Sequence, residues 1–210
     1  MPQTTRRAAL LGLAAATTAA CAGGDEDIPL AGPPRGRVVL LRGLANVFST
    51  GIDELEETLR RDGYDAQVFN HLDWAAQADA ALVLARENRL PRPFAVIGHS
   101  LGADDGILLA ARFGQATGMM DVLVTFDPVL VRTVPRGPAL VRNYFQQSDL
   151  WGGGSLTAAR GFTGTLENRP VRGDNHFTID KDPALHREVV ALLDATHPAA
   201  PPRPAPRRRA

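Results

Sequence analysis

Cysteine occurs once in these 210 residues, at Cys21, so an intrachain disulfide is excluded and any fold must stand on its packed core. Lysine is almost missing too: Lys181 is the only one among 23 basic residues, a bias of genomic composition that carries no functional message. An excess of one charge sign is absent, since 23 basic residues face 23 acidic ones. The balance is uneven along the chain. Arg6, Arg7, Arg203, Arg207, Arg208 and Arg209 stand near the two ends, which leaves 17 basic against 23 acidic residues for the remainder, or about −6. That sign argues against a nucleic-acid partner for the folded part. No apolar run reaches the roughly 20 residues of a membrane-crossing helix. The stretch from Ala8 to Ala20 has thirteen small or apolar residues.

That stretch follows Arg6-Arg7, and together they read as the charged and apolar regions of an export signal over residues 1–20. Thr5-Arg6-Arg7-Ala8-Ala9-Leu10 is similar to a twin-arginine signal, and Thr18-Ala19-Ala20-Cys21 resembles a bacterial lipoprotein box. The resemblance implies lipid attachment at Cys21, with plain cleavage after Ala20 or Ala22 as the alternative. Either way the expected location is outside the cytoplasm: periplasmic, secreted, or anchored to a membrane through Cys21. Residues 21–36 read as a flexible tether and the Pro/Arg-rich residues 198–210 as a disordered tail. The 37–197 segment between them is one domain by length.

Within it, short aliphatic runs alternate with amphipathic stretches. Strands are expected at 37–41, 66–69, 94–97, 122–126, 140–145 and 168–172, by their apolar or β-branched content. A helix is expected from Thr50 as cap, with Ile52, Leu55 and Leu59 on one face. Others are expected over 74–88, with Ala78, Ala81, Leu82 and Ala85 inward, over 103–112, and from Pro183 to Asp194, with Leu185, Val189, Leu192 and Leu193 inward. This order predicts an α/β fold: a doubly wound, mainly parallel sheet flanked by helices.

The chemistry centres on Phe94-Ala95-Val96-Ile97-Gly98-His99-Ser100-Leu101-Gly102, a buried strand running through a glycine-bounded turn into a helix. A serine there projects from the carboxyl edge of the sheet, with backbone amides of the helix start beside it. A hydroxyl needs a base, and neutral imidazole serves near pH 7. Of five histidines, His99 reads as a packing or hydrogen-bonding residue of the turn, His71 as structural or surface, and His186 and His197 as surface or helix-end residues. His176, in a polar loop between the last strand and the last helix, is the candidate base. Asp127, directly after a buried strand, is the leading candidate acid, Asp149 after the next strand is its rival, and Asp174 lies too near His176 in the loop. The oxyanion donors expected from this topology are the backbone amides of Leu101 and of Leu44, in the turn opened by Gly43.

With Gly98-His99-Ser100-Leu101-Gly102, then Asp127, then His176, the chain resembles the α/β-hydrolase superfamily over about residues 37–195. It is similar to small bacterial lipase-like or thioesterase-like members through Arg42-Gly43-Leu44, Phe48 to Asp53, Phe126-Asp127-Pro128-Val129, Asn143 to Gln146 and His176 to Lys181. Pancreatic-type lipases likewise place their acid in an Asp-Pro turn, which favours Asp127 over Asp149. The resemblance implies a minimal fold without a large lid, cleavage of a small-molecule or lipid ester or thioester through an acyl-enzyme on Ser100, and no cofactor or metal. Acyl transfer by the same residues, or a non-catalytic envelope lipoprotein of hydrolase fold, are the alternatives. The lipoprotein reading has a direct check: Cys21→Ser is expected to move the protein from the membrane to the soluble fraction, and a variant that stays with membranes overturns it.

Overall fold

The computed structural model describes residues 28–44, 49–131, 133–147 and 153–197. Cys21, the leader, the 198–210 tail and the rival acid Asp149 lie outside them. The main sheet has six strands, all paired in parallel: β1 (Arg37–Arg42), β2 (Asp65–Asn70), β3 (Phe94–His99), β4 (Met120–Phe126), a fifth over Pro138–Gln146 and a sixth over Thr165–Val171. Two short strands, Thr133–Val134 and Thr157–Ala158, pair with each other outside it. In chain order these are β5 (Thr133–Val134), β6 (Pro138–Gln146), β7 (Thr157–Ala158) and β8 (Thr165–Val171), and the main sheet runs β2-β1-β3-β4-β6-β8. Its helices are α1 (Thr50–Arg61), α2 (Trp74–Arg86), α3 (Leu101–Thr117) and α4 (Pro183–Thr196).

Strand period two sorts the core into two layers. Val38, Leu40, Ala95, Ile97, Val122 and Val124 face α1 and α4, whose Ile52, Leu55, Leu59, Val189 and Leu193 cover them. Val39, Leu41, Phe94, Val96 and Leu123 face the other way, against Ala78, Ala81 and Leu82 of α2 and Ile107, Leu109 and Phe113 of α3. Burial on both faces is why these strands read as unbroken apolar runs. Each fully buried aliphatic side chain contributes roughly 1.5–3 kcal/mol, which offsets much of the ordering cost.

The doubly wound parallel sheet matches the expectation, with three differences. The connections from β4 to β6 and from β6 to β8 hold no helix among the described residues; β5 and β7 lie there, and Val134 and Leu156 join the core on the α3 side. The first five strands of the main sheet extend one to three residues beyond their apolar runs, because ladder bonding does not stop where hydrophobicity does, and the last, expected at 168–172, spans Thr165–Val171. Residues 28–36, expected within a tether, lie against the body: Arg35 donates to the Asp62 carbonyl and to Asp194, and Arg60 donates to the Ile28 carbonyl.

The start of α3 approaches strands β1 and β3 closely. A Cβ added at Gly98 would stand 2.2 Å from the Gly102 carbonyl oxygen, and one added at Gly102 would stand 2.2 Å from that of Leu41. Backbone meets backbone, so neither side can yield. Gly102→Ala is therefore expected to cost at least ~3 kcal/mol of stability or abolish soluble expression. Gly106→Ala, whose added Cβ meets only the Val96 and Leu123 side chains at 3.3 and 3.7 Å, is expected to stay within about 1 kcal/mol of the parent. Urea denaturation midpoints compare the two.

Candidate functional site

β3 ends at His99 and α3 begins at Leu101, so the chain must turn within Ser100, which adopts φ 59° and ψ −126°. Such a conformation costs a non-glycine residue ~1–3 kcal/mol and persists only where surroundings impose it. Here the sheet imposes it. The Ser100 amide donates to the Phe126 carbonyl at 3.0 Å, extending the β3–β4 ladder by one rung. Asp127, at φ 51°, repeats the device one strand over by donating to the Tyr144 carbonyl at 2.8 Å. Two strained residues thus stand at adjacent strand ends.

The third arrives from the loop before α4. Its conformation is set by side chains closing on backbone: the Asn175 amide donates to Thr178 Oγ1, the Phe177 amide to Asn175 Oδ1, and Thr178 Oγ1 to Asp174. This bracing turns His176 toward the sheet. Its Nε2 lies 2.9 Å from Ser100 Oγ and its Nδ1 2.6 Å from Asp127 Oδ2. Asp127 is fully buried, and its other oxygen accepts from the Gln146 amide at 3.4 Å. A carboxylate acceptor fixes the proton of neutral His176 on Nδ1. Nε2 then receives the Ser100 hydroxyl hydrogen, the direction a general base requires. The first amides of α3, Leu101 and Gly102, precede the first intrahelical bonds, which begin with Ala103 and Asp104 donating to Ser100.

Beneath this array lies a second buried polar set. His99 Nε2 lies 2.7 Å from the His176 carbonyl oxygen, an acceptor only, so Nε2 carries the proton. Its Nδ1 is 2.8 Å from Ser49 Oγ, which in turn accepts from the Gly43 amide at 2.9 Å. Burial pushes the His99 imidazole down to about 4. Asp180 is fully buried nearby: Oδ2 accepts from the Gly51 amide at 3.1 Å and lies 4.0 Å from His99 Nδ1, while Oδ1 has no hydrogen-bond partner among the described residues. Burial lifts its carboxyl to about 6.

A cavity of about 430 Å³ opens onto Ser100 and is lined by Leu44, Ser49, His99, Leu101, Val129, His176 and Phe177. Apart from the two histidines and two serines the walls are apolar, which suits an uncharged chain. Leu44 is exposed on the rim. A depression of similar size between α1 and α4 is walled by Glu54, Thr58, Arg61, Asp62 and His186, and holds none of the residues just described.

Ser100, Asp127 and His176 are therefore brought into one hydrogen-bonded chain, and Leu101 and Leu44 border the same cavity. Asp174 turns to Thr178 instead. His71 is held by Asp105 at 2.7 Å. His186, expected on the surface, is buried and donates from Nε2 to the Asp180 carbonyl, because α4 packs that turn against the domain. Thr50 is not the cap of α1. Ser49 holds the cap position, but its hydroxyl serves Gly43 and His99 instead of the helix. The Ser49, His99 and Asp180 grouping has no local signal in the sequence, since its contacts span 50 to 129 positions.

No family model matches the chain, and no curated protein matches its sequence. Solved structures do. A protein assigned to the α/β superfamily of hydrolases from Xanthomonas campestris pv. campestris superposes with a TM-score of 0.52 at 15% identity, covering 77% of this chain and 99% of that one. The type II thioesterase BorB of the borrelidin biosynthetic cluster gives 0.50 at 11%, covering 79% and 95%. Esterase 2 of Thermogutta terrifontis gives 0.50 at 13%, covering 78% and 82%. At these identities the likeness shows a shared fold.

The buried His99 and Asp180 pair has a pH signature. Asp180, raised from 3.8 to about 6, contributes stability at low pH that is lost as pH climbs through that range. His99, lowered from 6.5 to about 4, acts oppositely and costs stability as pH falls from 6.5 toward 4. Across the shared window the pair binds nearly the same number of protons folded and unfolded, so the slopes cancel. Asp180→Asn is expected to unmask the His99 slope: relative to the parent, its unfolding free energy should rise from pH 4.5 to 6.5, by roughly 2–3 kcal/mol. Denaturant titrations at the two pH values measure this, and parallel pH dependence in both proteins overturns it.

Proposed function

Given a chain with the α/β-hydrolase fold, we propose that it is a serine hydrolase that cleaves carboxylic ester or thioester bonds through an acyl-enzyme on Ser100. The observation that carries this is the uninterrupted sequence of bonds from Ser100 Oγ through His176 to Asp127, at 2.9 and 2.6 Å. Esterases and thioesterases among the structures of the same fold support the bond class. Ser100 Oγ attacks the acyl carbonyl while His176 Nε2 takes its proton. Asp127, accepting the Nδ1 hydrogen, holds the imidazole in that tautomer and offsets the imidazolium charge. The developing oxyanion is received by the backbone amides of Leu101 and Leu44. His176 then protonates the departing alcohol or thiol, activates a water at the acyl carbon, and returns the proton to Ser100. The apolar cavity favours an uncharged acyl group over a peptide. An export signal over 1–20 and lipidation at Cys21 would place this activity at the cell envelope.

Fluorophosphonate labelling is the decisive test: the parent is expected to label and Ser100→Ala not to, and an unlabelled parent overturns the reading. Hydrolysis of a p-nitrophenyl ester should fall by roughly 10³–10⁴-fold in kcat for Asp127→Asn, through the wrong imidazole tautomer, with the fold unchanged by circular dichroism. Full activity in that variant would reject Asp127 as the orienting acid.

A further inference from the structure

The proposed chemistry uses Ser100, His176 and Asp127, but it assigns no part to the fully buried polar pair below them. Ser49 and His99 are each 1% exposed, and both form part of the floor of the cavity at Ser100. We propose that Ser49 and His99 form a positioning strut that ties the Gly43–Leu44 oxyanion turn to the main chain of the base, His176. This rests on the serine hydrolase reading and assigns the strut's role within it.

The bonds of the strut have only one consistent direction. At one end the Gly43 amide can only donate, and it does so to Ser49 Oγ at 2.9 Å. At the other end the His176 carbonyl can only accept, which places the proton of His99 on Nε2, at 2.7 Å. His99 Nδ1 must then accept, and the Ser49 hydroxyl, 2.8 Å away, supplies the hydrogen. Every group is used once and none is left over. The strut stays in this state because His99 stays neutral, its imidazole pushed down to about 4 by burial. Cooperative strengthening and low dielectric both favour such a chain over its separate bonds.

The two ends of the strut explain what it controls. Gly43 directly precedes Leu44, so the bond to its amide holds the turn that presents the Leu44 amide to the oxyanion. The His176 carbonyl belongs to the residue whose ring must reach both Ser100 and Asp127. The two imidazoles lie with centroids 5.1 Å apart, so the strut passes directly under the base. Two loops far apart in sequence thereby share one reference point, adjacent to the nucleophile. Donors must stand within a few tenths of an ångström of the developing charge to act on it. A turn released from Ser49 loses that precision without losing its place in the fold.

Threonine and valine at position 49 have nearly the same shape and differ in the hydroxyl, so they separate positioning from packing. Active sites are counted by fluorophosphonate titration, and kcat is expressed per titrated site so that partial unfolding does not enter. Ser49→Thr is expected to retain most of the parent kcat. Ser49→Val should fall at least about tenfold below it, with KM within about twofold, because a positioned oxyanion donor acts in the transition state and not in ground-state binding. The affinity of an alkylboronic acid, which forms a tetrahedral adduct on Ser100, should fall in parallel with kcat/KM across Ser49→Thr, Ser49→Val and Ser49→Ala. Equal kcat per site in Ser49→Thr and Ser49→Val, or unchanged boronate affinity, overturns the strut while leaving the hydrolase reading intact. A parent that does not label at all overturns that reading, and the strut with it.

Discussion

Everything at the site depends on how closely the start of α3 approaches β1 and β3. The carbonyl of Gly102 lies where a Cβ of Gly98 would be, and the carbonyl of Leu41 where a Cβ of Gly102 would be, each at 2.2 Å. With helix and strand this near, one residue is left to make the turn. Ser100 makes it at positive φ, and the sheet ladder holds it there through its amide bond to Phe126. The same proximity brings the first amides of α3 to the carboxyl edge of the sheet, where the dipole and the N–H groups favour developing negative charge. The placing of the Ser100 hydroxyl and of the helix-start amides beside it is one geometric event.

Charge and polarity beside that turn are placed in almost dry surroundings, which raises the stakes of each hydrogen bond. Asp127 is fully buried but accepts from the His176 ring and the Gln146 amide. His99 is buried but uses both ring nitrogens. Asp180 is the exception, with one oxygen unpartnered among the described residues, and burial raises its carboxyl to about 6. The rest of the polar set is satisfied by its own side chains and by backbone groups of three separate segments, at Gly43, Gln146 and His176. Satisfaction and positioning are therefore the same set of contacts, because moving any one loop would orphan a buried donor or acceptor.

The parts of this arrangement that could be read from the sequence are those carried by local pattern. The strand before Ser100, the glycines around it, the Asp-Pro turn after β4 and the polar loop at His176 each stand out within ten residues, and they suffice to bring Ser100, Asp127 and His176 together in the expected order. Helix faces such as Ile52, Leu55 and Leu59 followed their spacing. What pattern does not carry is what one hydroxyl or imidazole meets across the domain. Ser49 occupies the cap position before α1, yet its Oγ is committed to Gly43 and His99, and only the fold brings His99 to it from 50 residues away. His186 reads as a surface residue by its polarity, yet it stands three, four and seven residues before Val189, Val190 and Leu193, on the buried face of α4, where its ring meets the Asp180 carbonyl. The helix-free crossovers through β5 and β7 also escaped, because two-residue strands leave no periodicity to detect.

The role of α3 extends beyond placing Ser100. Asp104, one turn after Ser100 and nearly fully buried, accepts from three successive amides, those of Val129, Leu130 and Val131, at 2.9–3.3 Å. These amides follow directly on Asp127 and Pro128, so the helix that begins after Ser100 also grips the loop that carries Asp127. Val129 is in addition a wall of the cavity at Ser100, which ties the shape of that wall to the same carboxyl group. Farther along, Asp105 holds His71 at the end of β2, and Gly102 meets β1. The ends of β1 and β2 and the loop after Asp127 are thus keyed to the first two turns of one helix. A rigid helix held at that many points is what permits two residues to remain at positive φ, since no loop can relax the strain without breaking a contact to α3.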